Sequence, residues 1–201
     1  MGYIANATGH VTVTPPLNTH EVTYLKRFAQ SRRYQRASGP YRTDTDESHG
    51  PDTIDYNREP EGQPSLWCDW EPSDDGTTIA WNGMEKFHHA DRWMAYLIDT
   101  FLKTGADLHR GLDILTRGWH YPDEFWHFTF DHVVNGTIDA QGDDPDDRWQ
   151  LVVADNEVRV RRLPTFAERV EADPELAAAV EKLRAEGVTP MQFADITGQD
   201  Y

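Results

Sequence analysis

Histidine and carboxylate are the residue types in this chain that could do chemistry, and they fall into a few clusters. His88-His89-x-Asp91 is the first. On a helix His88 and Asp91 lie three apart and share a face, which supplies two metal positions but fixes no third. The competing reading leaves both histidines on the solvent side of an amphipathic helix, with Asp91 paired locally. The second cluster spans His120, Asp123, Glu124, His127, Asp131 and His132. On a strand, His127 and Asp131 share one face and His132 takes the other, beside Phe128 and Phe130. A histidine beside a carboxylate makes a tunable general base. No nucleophile, oxyanion hole or ligand triad accompanies it, and the nearest approach to a helical zinc motif, His120-Tyr-Pro-Asp-Glu, has a proline where the helix is required.

Dense carboxylates form a third group, Asp143-Asp144-Pro145-Asp146-Asp147, with a smaller one at Asp74-Asp75-Gly76. They lack the alternating ligands, central glycine and terminal glutamate of a helix–loop–helix calcium site, so they read as solvated acidic turns open to a partner. The fourth group is basic. Lys26, Arg27, Arg32, Arg33, Arg36 and Arg42 interleave with Tyr24, Tyr34 and Tyr41. Guanidinium forks beside aromatic planes suit phosphates and bases, and they suit an acidic protein patch equally well, including the body of a second copy. Neutralisation by the chain's own carboxylates is the third option.

Charge is unevenly distributed. The first 43 residues hold six basic residues and one acidic one, while the remainder holds 13 basic and 34 acidic, giving a net charge of −16. The acidic body repels nucleic-acid phosphates and fits a protein partner, through surfaces such as Asp74, Asp75, Asp143, Asp144, Asp146 and Asp147. A mimic of nucleic acid is the variant reading. Length suits one domain with an appended segment. The single cysteine, Cys68, excludes an internal disulfide, and between Trp67 and Trp70 it reads as a buried thiol. The chain shows no membrane-length apolar run and no signal-like N-terminus. These point to the cytoplasm, and no cofactor is expected.

The elements that must position these groups follow from periodicity. Residues 2–17 read as a strand, clearest in the alternation at Gly9–Thr14, and Pro15-Pro16 stops it. Asn18 with Glu21 three residues on predicts a capping box, then a helix with Val22, Leu25 and Phe28 on one face. Residues 37–64 are polar and read as a long insert. Residues 65–70 and 77–81 predict a hairpin around 72–76. A helix is expected from Asn82 to about 103, a short one between 106 and 121, and a strand from 125 to 138. A second hairpin turns at Asp155-Asn156. Helix follows from 164 to 187, divisible at Pro174, with a further short helix over 188–201. The sum is an α+β fold, a two-layer, mainly antiparallel β-sheet with helices on one face, over residues 1–163, with 164–201 as a C-terminal helical segment.

Certain runs carry a resemblance. They are Gly9-His10-Val11-Thr12-Val13-Thr14-Pro15-Pro16-Leu17, Trp81-Asn82-Gly83-Met84-Glu85-Lys86-Phe87, Asn135-Gly136-x-Ile138-x-Ala140-Gln141-Gly142 and Asp146-Asp147-Arg148-Trp149, the last continuing into Val152-Val153-x-Asp155-Asn156-x-Val158. On them the chain resembles a family of small acidic proteins of unassigned function from actinobacteria and their bacteriophages. The resemblance implies a phage-like context, in which such proteins bind and redirect host proteins, and it carries no active site. The leading expectation is a non-enzymatic protein–protein interaction module that modulates a host protein. Alternatives are a nucleic-acid mimic, a small metal-dependent hydrolase using His88, Asp91, His120, His127 or His132, and an accessory virion component.

Overall fold

The structure, a computed structural model, describes residues 6–43, 48–84, 87–142 and 144–186. Asp143, Glu85 and the short helix expected over 188–201 lie outside these residues. Strand β1 (Asn6–Thr14) is central. Around it the sheet runs β4 (Trp70–Pro72), β5 (Thr78–Trp81), β1, β6 (Val133–Gln141), β7 (Arg148–Ala154), β8 (Glu157–Arg162), with every neighbouring pair antiparallel. The period-two alternation of β1 sends Val11 and Val13 into the core and leaves His10, Thr12 and Thr14 in solvent, so one face of the sheet is covered and the other is wet. The α+β reading is therefore correct.

Helix α1 (Thr19–Ala29) starts as its sequence predicts. The Asn18 side chain accepts from the His20 and Glu21 N–H groups, and the Glu21 carboxylate accepts from the Asn18 N–H at 2.7 Å, closing a capping box. Helix α2 (Ala90–Leu97) continues through a π turn at Ile98–Leu102. Its Trp93, Met94, Leu97, Ile98 and Phe101 are buried, each contributing about 1.5–3 kcal/mol of apolar transfer. Both edge strands, β4 and β8, contact α2, so the sheet curls around it. Helix α3 (Asp107–Ile114) is the expected short helix.

Three expected elements differ. The strand expected over residues 65–70 is irregular up to Asp69 and begins only at Trp70. The helix predicted from Asn82 begins eight residues later, because Asn82 caps a turn instead: its side chain accepts from the Met84 N–H, Gly83 sits at φ 83°, and His89 turns left-handed at φ 58° before α2 starts. The strand predicted over 125–138 is a 3-10 turn at Asp123–His127 and an irregular stretch, becoming strand only at Val133. Aromatic packing overrides β-propensity there. Phe125 and Phe128 pack against Tyr24 at 4.5 and 5.9 Å between ring centres, which a strand's strict alternation would prevent.

The C-terminal segment forms α4 (Phe166–Ala172) and α5 (Pro174–Ala185), divided by Asp173, whose side chain caps α5 with Pro174 at its first position. Phe166 N–H donates to Asp146, and Arg162 grips Glu168 with both guanidinium nitrogens, which ties α4 to the sheet. Among the described residues no helix is long and apolar enough to cross a membrane.

Candidate functional site

The polar insert is ordered over its described residues, with β2 (Gln35–Arg36) paired to β3 (Thr53–Asp55). Its anchor is Arg33. The side chain is buried, its guanidinium 4.2 Å over the Phe28 ring, and it donates to Ser31, Gln63 and the carbonyls of Pro40 and Arg42. Arg36 is also buried, 3.8 Å over the Tyr34 ring and near Asp52, whose carboxylate also meets Arg42 and accepts from the Ser38 N–H and hydroxyl. Burial opposes ionisation of Asp52, but the Ser38 hydrogen bonds and then Arg42 and Arg36 hold its carboxyl below its ordinary value.

The rest of the basic region is engaged inside the chain as well. Lys26 pairs with Asp74, Arg27 with Glu124, and Arg32 lies over the Tyr56 ring at 4.6 Å. Tyr34 and Tyr41 are core residues. Within residues 26–42, Lys26, Arg27, Arg36 and Arg42 thus meet the chain's own carboxylates, while Arg32 and Arg33 meet rings, carbonyls and amides.

The acidic turns separate. Asp74 and Asp75 sit in the β4–β5 turn, beside the end of β1 where the Val13 N–H meets the Thr77 carbonyl; Asp144, Asp146 and Asp147 sit at the other end, near Gln141 and its partner Asn6. They share no face. Asp75 accepts from Ser73 and Thr77, which lowers its carboxyl to about 2 and makes it a turn builder.

The histidines scatter. His88 and His89 line an open cleft of about 350 Å³ with Glu59, Leu66 and Trp67, and Asp91 follows in the first turn of α2. His120 is held by its N–H on the Ser38 carbonyl, and His127 stacks on His20 at 4.0 Å. His132 is fully buried. Among the described residues no group of three or more histidine, cysteine or acidic side chains is placed to hold a metal.

His132 instead completes a pair that spacing did not reveal. Its Nε2 lies 3.1 Å from Glu21 Oε1 and its Nδ1 2.7 Å from the Pro15 carbonyl, while the Thr129 N–H also donates to Glu21 Oε1 at 2.8 Å. A carbonyl at one ring nitrogen and a carboxylate at the other call for a proton on each. Burial pulls the imidazole down, yet Glu21 and Pro15 raise it above its ordinary value; burial likewise pushes the Glu21 carboxyl up, and hydrogen bonds from His132, Thr129 and Asn18 bring it below. Thr129 Oγ1 reaches the same ring nitrogen as the carboxylate, at 3.1 Å. A relay needs nucleophile and carboxylate on opposite nitrogens, so this is a structural pair. Cys68 is buried, and burial pushes its thiol far up, which leaves it inert.

What the surface does offer is apolar. Ile54 is 65% exposed and Trp119 40% exposed, and both line a cleft of about 450 Å³ with Gln35, Gly39, Pro40 and Glu61. Trp119 lies against Gly39 so closely that a Cβ there would fall 2.6 Å from the indole, and Gly39 also holds φ 86°. Ile114 and Leu115, which precede this tryptophan in the chain, are exposed too. The sequence signal for this site was an isoleucine and a tryptophan in segments otherwise rich in turn residues.

The chain matches no protein-family model, no curated protein and no solved structure. Its own geometry therefore carries the functional argument.

Proposed function

We propose that the protein is a non-enzymatic interaction module that holds a protein partner in the cleft between Ile54 and Trp119. The supporting observation is that large apolar side chains stand in solvent at the rim of a concave site whose walls are fixed by buried arginines. Exposed apolar area of this kind marks contact surfaces, and tryptophan is prominent among interface anchors. Rigid walls limit the entropy lost on binding. The acidic body adds steering toward a partner of opposite charge. The family resemblance makes a host protein the partner to seek.

The test is capture of partners from a host-type extract by wild type, Trp119→Ala and Ile54→Asp proteins at matched stability. A stoichiometric protein retained by wild type and lost by both variants is the expected result. Retention of the same protein by both variants would refute the cleft as the contact surface.

A further inference from the structure

The two edges of the six-stranded sheet are treated differently. β4 is three residues long, ends in Pro72 and is packed against α1, which also bonds it through Gln30 to Glu71. This edge is closed in the ways edge strands are usually protected. β8 also meets a helix, α2, but it is six residues long and contains no proline.

The register of β8 shows which of its backbone groups are available. Asp155 and Asn156 both have positive φ, 48° and 70°, so they form a two-residue primed turn, and Ala154 opposite Glu157 is a hydrogen-bonded pair. Pairs then alternate down the ladder. Val152 with Arg159 and Gln150 with Arg161 exchange bonds, and the alternation is confirmed at its end, where the Leu163 N–H donates to the Arg148 carbonyl at 2.8 Å. The N–H and C=O groups of Val158, Val160 and Arg162 therefore point away from β7, along the open edge. None of them has a backbone partner among the described residues.

Side chains give this edge a character. Val158 packs against the core and Val160, on the same face, is 53% exposed. On the other face stand Arg159 and Arg161. Arg161 is held by Gln150, which itself donates to Asp139 at 2.6 Å, and Arg159 pairs with its neighbour Glu157. On a chain of net charge −16 the run from Val158 to Arg162 thus carries three arginines and no acidic residue of its own.

We infer that β8 is a docking edge that takes an extended acidic segment of a partner protein as a seventh strand, with acidic and apolar residues alternating. Main-chain bonds to Val158, Val160 and Arg162 supply the ladder. Acidic side chains of the added strand fall beside Arg159 and Arg161, and apolar ones beside Val160. A second copy is a poorer occupant. Registers that pair β8 along its length, centred on Arg159 or Val160, set Arg159 against Arg159 or Arg161 of the other copy, and two strongly acidic bodies repel. This surface is distinct from the cleft and stands on its own observations.

The test is fluorescence anisotropy of a labelled short peptide alternating Glu and Val, against one alternating Lys and Val and one with the Glu–Val composition scrambled to break alternation. Wild type binds only the first, and the affinity falls as salt rises. Val160→Pro removes an outward N–H without touching the β7 ladder, so circular dichroism and Tm stay near wild type while affinity falls at least tenfold. The paired substitution Arg159→Glu, Arg161→Glu lowers affinity at least tenfold for the acidic peptide. Absence of binding to the alternating acidic peptide, or equal binding by folded Val160→Pro, overturns the proposal. Concentration-dependent dimerisation that Val160→Pro abolishes, without peptide binding, assigns the edge to a second copy and overturns it as well. Because the probe is a synthetic peptide, the result is independent of whether the Ile54–Trp119 cleft holds a partner.

Discussion

Replacing His132 with leucine separates the buried pair from everything else that sets the stability of this fold. Leucine fills much of the imidazole volume and leaves the Glu21 carboxylate buried without its counter-charge. The carboxylate keeps donors from Asn18 and Thr129. The cost is therefore placed toward the lower part of the roughly 3–5 kcal/mol expected for breaking a buried pair. With an ordinary urea dependence of about 2 kcal/mol/M, the midpoint falls by roughly 1.5 M. The pH dependence is the discriminating feature. The Glu21 contribution is fully present above the unfolded value of 4.5 and is lost as pH falls through its lowered folded value. The His132 contribution is fully present below 6.5 and is lost as pH rises through its raised folded value. Both operate together between 4.5 and 6.5. Urea unfolding of wild type and His132→Leu at several pH values from 5 to 9 measures the difference directly, since other titrations cancel. The difference should be largest near pH 5.5 and shrink on the alkaline side. A difference that stays constant across this range would refute an imidazolium in the folded core.

Three further outcomes follow from the structure. Asp69 is buried, which raises its carboxyl to about 6 against the opposing hydrogen bond from Asn82. Its stabilising contribution is complete below 3.8 and is lost as pH rises through about 6, so Asp69→Asn should stabilise the protein at pH 7 by up to about 3 kcal/mol and have little effect at pH 4, as thermal melts at the two pH values would show. Arg33→Lys loses the fork that holds the Pro40 and Arg42 carbonyls, the first of which keeps a donor in Gln63, at about 1–3 kcal/mol in all. Limited proteolysis should then cut within residues 40–64 faster than in wild type, and unchanged cutting would mean that Arg33 does not anchor the insert. Cys68 should resist thiol reagents in native protein and react at a normal rate in denaturant; rapid native labelling would contradict its burial.

Elements with a strong local signal were readable from sequence. Asn18 with Glu21, Asp155 with Asn156, and Pro174 each fix backbone geometry through their own chemistry, and each element begins or turns where those residues place it. Asn82 misled because an asparagine caps a turn as readily as a helix, and what decides is the residue that follows, here Gly83 with positive φ. Phe125 to Phe130 misled because their packing partners, Tyr24, Tyr41 and Phe101, are remote in sequence. The same distance hid the candidate site. Basic residues that read as a surface stripe turned inward, since Phe28, Tyr34 and Asp52 meet Arg33 and Arg36 only in the folded chain. The pairing of Glu21 with His132 joins residues over a hundred positions apart, and no spacing rule reaches so far.

The central strand precedes both of its sheet neighbours in the chain, and this sets an order on biosynthesis. β1 finds one neighbour at Thr78–Trp81 and its longer one at Val133–Gln141, in a register running from Asn6 with Gln141 to Thr14 with Val133. Within this sheet β1 is made first, and it waits for more than a hundred further residues before its long ladder can form. At roughly 5–20 residues per second it spends several seconds to tens of seconds half-paired. Non-local pairing of this kind slows folding and leaves strand edges open to other chains meanwhile. The threonines that alternate with Val11 and Val13 keep that waiting strand soluble on one face, and products that stop short of residue 133 should accumulate as substrates for chaperones and proteases.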